Sequence, residues 1–154
     1  MNLIFKLITF RQYIKSKISG RFNLGERVRF RRFFLTAGNG KIDVGNDVFF
    51  NNNVSLNVLG HLTIGDDVLF GENVKLYDHD HKFGGKPFKI SKHEFVVQNI
   101  TIGSNVWIGS GTIILKGTNI KNNVVIGAGS IISGIIPENT IVIQKRKKVI
   151  SKLG

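Results

Sequence analysis

An isoleucine stands at every sixth position through the second half of the chain: Ile102, Ile108, Ile114, Ile120, Ile126 and Ile132. Four places after each of the first five comes a small or β-branched residue, Val106, Thr112, Thr118, Val124 and Ser130. A fixed short period marks a solenoid, in which each unit buries its apolar face only by stacking on its neighbours. A hexad is too short for an ordinary strand and turn, but three hexads close a triangular coil. The recurrent aliphatic then points into a prism, and the small residue fits near a corner. Earlier hexads run Val44, Phe50, Leu56; a two-residue offset near His61 moves the register to Ile64, Phe70, Leu76. The pattern predicts an all-β chain of about five to six coils forming three parallel sheets, with coils roughly 4.8 Å apart. Gly45, Gly65, Gly71, Gly103, Gly109 and Gly127 follow the aliphatic where the chain must bend. Flat outer faces of this kind pack on copies of themselves, so a closed cyclic oligomer is expected.

The period fails over about 78–99, a stretch holding Gly84-Gly85, Pro87 and three of the four histidines. A break in a regular solenoid predicts an external loop, and loops on rigid scaffolds commonly carry function. Regular hexads resume at Ile102 and run to Pro137. Before the solenoid, Leu3, Leu7, Phe10, Ile14 and Ile18 recur at helical spacing among Lys6, Arg11, Lys15, Lys17 and Arg21. This predicts a basic amphipathic helix over 1–20. It either caps the open end of the solenoid or lies on an anionic membrane surface, and the two roles are compatible. Arg27, Val28, Arg29, Phe30 and Arg31 alternate as a strand with one basic face. The expected organisation is an N-terminal helix or cap over 1–25, a β-helix over 26–143 with its loop at 78–99, and a basic tail over 144–154.

Charge sharpens that division. Of the 22 Lys and Arg that give the 154-residue chain its net charge of +12, most lie at the two ends, while the body is near neutral. Basic ends suit phosphates or phospholipid. Aromatics are not interleaved with the cations on a nucleic-acid-binding module, so no nucleic-acid partner is expected. There is no cysteine, which excludes disulfides, Cys-ligated zinc and a cysteine acyl carrier. No apolar run approaches the length of a membrane span, and no small-residue cleavage site marks a secretory signal. A cytoplasmic protein is expected, peripheral at the inner face of the membrane through residues 1–20.

The segments Ile102-Gly-Ser-Asn-Val-Trp-Ile-Gly, Ile126-Gly-Ala-Gly-Ser and Ile136-Pro-Glu-Asn resemble the hexapeptide-repeat acyltransferases. Within them the chain looks most like the sugar O-acetyltransferases: galactoside and maltose acetyltransferases and the enzymes that acetylate surface polysaccharides. The resemblance covers about 42–143. It implies a left-handed parallel β-helix, a homotrimer with active sites between subunits, and acetyl-CoA as donor with no metal. The expected activity is transfer to a hydroxyl of a sugar, such as a surface-polysaccharide or lipid-linked glycan precursor.

Acetyl transfer from a thioester to a hydroxyl needs a base, donors for a tetrahedral oxyanion, and a means of holding both substrates. Histidine suits the first because its pKa lies near working pH. The candidates are His61, His79, His81 and His93. Counted from Ile64-Gly65, His81 falls at the position of the family's catalytic histidine, with His79 second. Asp78, Asp80 and Glu94 are candidates to orient an imidazole, and the first two also to meet the acceptor. The resemblance further assigns Asn51 to acceptor binding, against an alternative in which it belongs to an Asn ladder along the corners. It assigns Ser110 a backbone amide near the thioester, places Trp107 at the cleft and sets Ala128 along the pantetheine channel. The chain departs from the family at Gly134, where many relatives have Lys, and in the segment Gln144 to Lys148. Lys145 and Lys148 become the candidates for coenzyme A phosphates. A non-catalytic β-helix scaffold, N-acetylation of a sugar amine and a gamma-type carbonic anhydrase are the alternatives.

Overall fold

A computed structural model describes residues 20–145. The helix expected over 1–20 therefore lies outside the described residues, apart from Gly20, as does the tail from 146 onward with Lys148. The described chain is a parallel β-helix of six coils. Coil one holds β1 (Phe22–Leu24), β2 (Arg29–Phe30) and β3 (Leu35–Ala37); coil two holds β4 (Lys41–Val44), β5 (Phe49–Phe50) and β6 (Ser55–Asn57). Coil three is β7 (His61–Ile64), β8 (Val68–Phe70) and β9 (Lys75–Tyr77). The excursion follows as β10 (His79–Gly84) and β11 (Lys89–Val97). Coil four is β12 (Ile100–Ile102), β13 (Val106–Ile108) and β14 (Ile113–Ile114). Coil five is β15 (Asn119–Ile120), β16 (Val124–Ile126) and β17 (Ile131–Ile132), and β18 (Ile135–Ile136) with β19 (Thr140–Val142) begins a sixth.

The first strand of each coil joins sheet A (β1-β4-β7-β12-β15-β18), the second sheet B (β2-β5-β8-β13-β16-β19) and the third sheet C (β3-β6-β9-β14-β17). Registers show why the early repeat is harder to see. Ile42 pairs with Leu62, twenty residues on, whereas Ile102 pairs with Ile120, eighteen on. The two extra residues sit at the corner between sheets C and A, where Val58 adds a buried side chain between Leu56 and Leu62. The excursion of β10 and β11 leaves from that same corner one coil later.

The prism is filled by the predicted positions. The hexad aliphatics from Ile42 to Ile132 are almost wholly buried, and the small residues Thr112, Thr118 and Ser130 point inward beside them. Their hydroxyls are satisfied locally: Thr118 Oγ1 donates to the Leu115 carbonyl at 2.6 Å, and Ser130 Oγ to that of Gly127 at 2.6 Å. At the N-terminal end phenylalanine replaces isoleucine. Phe30, Phe50 and Phe70 stack in register with centroids 5.0 and 4.6 Å apart, and Phe34 packs beside them. The basic stretch at 27–34 is thus part of the first coil, ahead of the hexads read from Val44. Only Arg29–Phe30 is strand, while Arg27 occupies a corner at φ 54° and Val28 and Phe34 turn toward the core.

Corners repeat as strictly as strands. The first corner's left-handed position is taken by Arg27, Asp47, Asp67, Asn105, Asn123 and Asn139, all with φ near 55°. Asparagine tolerates that region because its short polar side chain bonds locally. Here the amides of Asn105, Asn123 and Asn139 also form a hydrogen-bonded ladder from coil to coil. The glycine that follows each aliphatic answers to close approach: a Cβ on Gly109 would stand 2.5 Å from the amide nitrogen of Ala128.

Candidate active site

The excursion at 78–99 is not an irregular loop. β10 and β11 form an antiparallel hairpin, pairing His79 with Val97 and His81 with Phe95. Its root is Asp78, which occupies the inward position that Val58 holds one coil earlier, and it is fully buried. A buried carboxylate needs donors on all sides. Asp78 accepts from the backbone N–H groups of Leu59 at 2.9 Å and Gly60 at 2.7 Å, and from His79 Nδ1 at 2.8 Å. Because a carboxylate here only accepts, His79 Nδ1 carries the proton. Asp78 therefore reaches His79 and no solvent, which separates it from an acceptor. Gly60 is small for the same reason, since a Cβ there would press on Val97 and Asn99 at 2.8 Å.

His81 lies two residues on, on the same hairpin face, and is exposed. Its Nδ1 is 3.0 Å from the carbonyl oxygen of Ser91. A carbonyl can only accept, so Nδ1 again holds the proton, and Nε2 is left with a free lone pair. Phe95 packs against both rings, edge-on to His79 at 5.2 Å and tilted against His81 at 4.8 Å. On the hairpin's side toward coil four, Asp80 pairs with Lys116 at 2.9 Å, and the Gln98 carbonyl accepts from the Gly117 N–H at 3.1 Å. Glu94 stands 3.5 Å from Lys82 rather than on either imidazole.

The other expected residues lie elsewhere. Asn51, Ser110 and Ala128 all follow sheet B, at the corner leading to sheet C. Along this edge two side chains serve the backbone of the coil before them: Asn52 Oδ1 accepts from the Arg32 N–H at 3.2 Å, and Ser110 Oγ from that of Glu72 at 3.1 Å. The column ends at Ala128, which has no oxygen to offer. Ser110 and Ala128 are exposed, and their N–H groups have no hydrogen-bond partner among the described residues. Asn51 keeps out of the corner ladders formed by Asn52 with Glu72 and Asn53 with Asn73; its Oδ1 accepts from the Asn52 N–H at 2.9 Å. Trp107 stands on the outer face of sheet B, 56 % exposed, in register with Leu69 and Val125. Lys145 is exposed at the end of the described chain.

The histidine edge (C to A) and the free-amide edge (B to C) flank sheet C, so one chain does not bring His81 to Ser110. His61 belongs to neither group of contacts. On sheet A its Nε2 meets Asp43 Oδ2 at 2.6 Å, where Lys41 and Asn23 also bond the carboxylate. Partial burial opposes ionisation of Asp43, but the bonds from Lys41, Asn23 and His61 outweigh it and pull its pKa down to about 2. His93 is exposed on β11 and takes no part in the pair of oriented imidazoles. Phe95, Lys116 and Gln98 went unnoticed in the sequence. Phe95 has a signal in hindsight, as an aromatic opposite His81 once the 78–99 break is read as a hairpin.

Known proteins share this arrangement of coils. The family described as bacterial transferase hexapeptide (six repeats) matches residues 99–134. The WbbJ protein of Escherichia coli K12, provisionally named a lipopolysaccharide biosynthesis O-acetyl transferase, is 45% identical over 53 residues, covering 34% of this chain and 27% of that protein. The hexapeptide-repeat acetyltransferase VCA0836 of Vibrio cholerae superposes with a TM-score of 0.72 at 25% identity, over 86% of this chain and 73% of that one. A galactoside acetyltransferase solved with coenzyme A gives a TM-score of 0.65 at 32% identity, over 85% of this chain and 65% of its own. The stretch shared with the WbbJ protein is thus about a quarter of that protein's length.

Proposed function

Taking the chain as a hexapeptide-repeat protein most like the sugar O-acetyltransferases, we propose that it transfers an acetyl group from acetyl-CoA to a hydroxyl of a sugar. The acceptor is a surface-polysaccharide or lipid-linked glycan precursor. The observation that carries this reading is the His81 Nδ1–Ser91 carbonyl bond. It fixes the tautomer that leaves the Nε2 lone pair free, on a residue exposed at the surface of the hairpin.

His81 Nε2 takes the proton of the acceptor hydroxyl as its oxygen bonds the acetyl carbonyl carbon. The unpaired N–H of Ser110 supports the resulting oxyanion, the role for which preorganised amide donors are most effective. The imidazolium then returns the proton to the departing thiolate, so the products are an acetyl ester and free coenzyme A. The exposed Ala128 N–H, beside a methyl rather than a longer side chain, leaves room for pantetheine amides to pair with backbone. Lys145 and Lys148 are assigned to the coenzyme's phosphates, and Asn51 and Asp80 to acceptor hydroxyls.

Separation of the two edges supports a site built between copies, because in a cyclic oligomer one edge of each chain meets the other edge of the next. An apolar stripe on sheet B supports such packing: Phe49, Leu69, Trp107, Val125 and Ile141 follow one another in register. We assign a homotrimer. His79 carries the second reading, because the buried Asp78 orients it more firmly than a backbone carbonyl orients His81. Thiol release from acetyl-CoA, measured against a panel of sugars and nucleotide sugars, tests the assignment. Release that needs an acceptor and is lost in His81→Asn supports it. Full activity in His81→Asn with loss in His79→Asn moves the base to His79, and no coenzyme A binding at all leaves a scaffold.

A further inference from the structure

Beside His81 the hairpin ladder is unequal. His81 pairs with Phe95 and the next pair is Phe83 with Ile90, so Lys82 alone faces the four residues 91–94. Unequal counts bend a strand and re-aim its side chains. The longer segment is turned by Ser91, whose Oγ accepts from the Glu94 N–H at 3.0 Å. The hairpin carries an open concavity of about 350 Å³ lined by Lys82, Phe83, Lys89, Ser91, Glu94 and the glycines Gly84 and Gly85. That volume falls in the range of small-molecule sites. Gly84 and Gly85 hold φ of 129° and 90°, and a Cβ on Gly84 would meet nothing, so backbone shape rather than packing calls for them.

The charges in the hollow are uneven. Glu94 meets Lys82, but Lys89 has no carboxylate partner among the described residues, and Lys86 and Lys92 add cations nearby. Asp80 is engaged by Lys116 on coil four. Two ammonium groups in one hollow, one of them uncompensated, suit a phosphate group, and Phe83 offers a ring face to the apolar or ring portion next to it. The hollow adjoins the proposed base through Ser91, which lines it and holds His81 through its carbonyl.

We infer that this hollow is an anion subsite of the acceptor, so that the sugar presented to His81 carries a phosphate or diphosphate. The inference rests on the acetyl-transfer reading. Phosphate could also come from coenzyme A, and the experiment separates the two sources. With the full chain, kcat/KM is measured for a sugar and for the same sugar as its 1-phosphate and its nucleoside diphosphate. The preference for the phosphorylated forms should be about tenfold or more and fall toward one in Lys82→Gln/Lys89→Gln. It should rise in Glu94→Gln, which removes the competing carboxylate, and shrink with added salt. A rise in KM for acetyl-CoA with the acceptor preference unmoved gives the lysines to the coenzyme and overturns the proposal, as does equal use of neutral and phosphorylated sugars. If no acceptor is acetylated, the transfer reading fails by itself. Titration with inorganic pyrophosphate, followed by the amide shifts of the hairpin, then decides the subsite: saturable binding weakened about tenfold in the double variant sustains it. Shifts confined to anionic vesicles, with none for pyrophosphate, replace it with a membrane contact and overturn it.

Discussion

At the scale of single residues, two imidazoles on one hairpin face differ in what holds them. His79 is tied to a carboxylate with no exposure, and His81 to a carbonyl at the surface. His81→Asn should lower kcat about 10²- to 10⁴-fold, the range for loss of a general base, with the circular dichroism spectrum unchanged. His79→Ala removes a donor from buried Asp78, so its first effect should be a lower melting temperature. An equal loss of kcat in both variants, each still folded, would make the two histidines a catalytic pair. Asp43 gives a prediction that acts on stability alone. Its carboxyl titrates at about 2 in the folded chain, below the ordinary range near 4, so the unfolded chain binds more protons in between. The stabilisation is complete above that range and is lost as pH falls toward 2. Asp43→Asn should therefore unfold at lower urea than the parent at pH 6, with the gap closing as the pH drops to about 3. A gap that stays constant across that window would mean the Lys41 and His61 contacts contribute nothing through charge.

At the scale of elements, the informative unit is the column that runs through the coils at one corner. Ser110 Oγ satisfies the Glu72 amide of the coil before it, whereas Ala128 has no side-chain oxygen and leaves the Ser110 amide open. Ala128→Ser restores an acceptor to the column. It should raise stability by about 0.5–1.5 kcal/mol, the net worth of one hydrogen bond. It should lower kcat about 10²-fold by occupying the proposed oxyanion donor, which steady-state kinetics beside a urea melt would show. Higher stability with undiminished kcat would take Ser110 out of the reaction. Inside the prism, Phe50 lies between Phe30 and Phe70, and Phe50→Ala should cost about 3–5 kcal/mol by opening a cavity the rigid coils cannot close. The coils from Ile102 onward were legible because one residue type repeats at one spacing. Coil one was not, because its inward residues are Phe22, Leu24, Val28, Phe30 and Phe34 and its outward ones include arginines that read as a basic strand. The break at 78–99 located the hairpin and its histidines from sequence alone. What spacing could not convey was depth: only the fold puts Asp78 in Val58's place and so makes it a buried anchor while Asp80, two residues on, meets Lys116.

At the scale of the whole molecule, the proposed chemistry draws on two edges of a three-sided prism, and a second copy would join them. Sheet B presents Leu69, Trp107 and Ile141 at 47, 56 and 68 % exposure in one continuous stripe, much of it apolar area with no cover in the single chain. Nearly all of the hairpin is exposed as well, including Phe83 and Phe88. A closed ring of copies covers such faces and sets the histidine edge of one chain against the free-amide edge of the next. Trp107→Glu places a charge in the middle of the stripe, so sedimentation should show the proposed trimer falling to monomers. A complementation experiment tests the shared site itself. One variant, His81→Asn, has a damaged histidine edge. The other, Ala128→Trp, has a blocked amide edge. Each should be inactive alone. Unfolded together in equal amounts and refolded, they assemble at random, and about one interface in four pairs an intact histidine edge with an intact amide edge. Activity should return to about a quarter of the parent level. If both residues act within one chain, every chain in the mixture carries one defect, and the mixture stays as inactive as its parts.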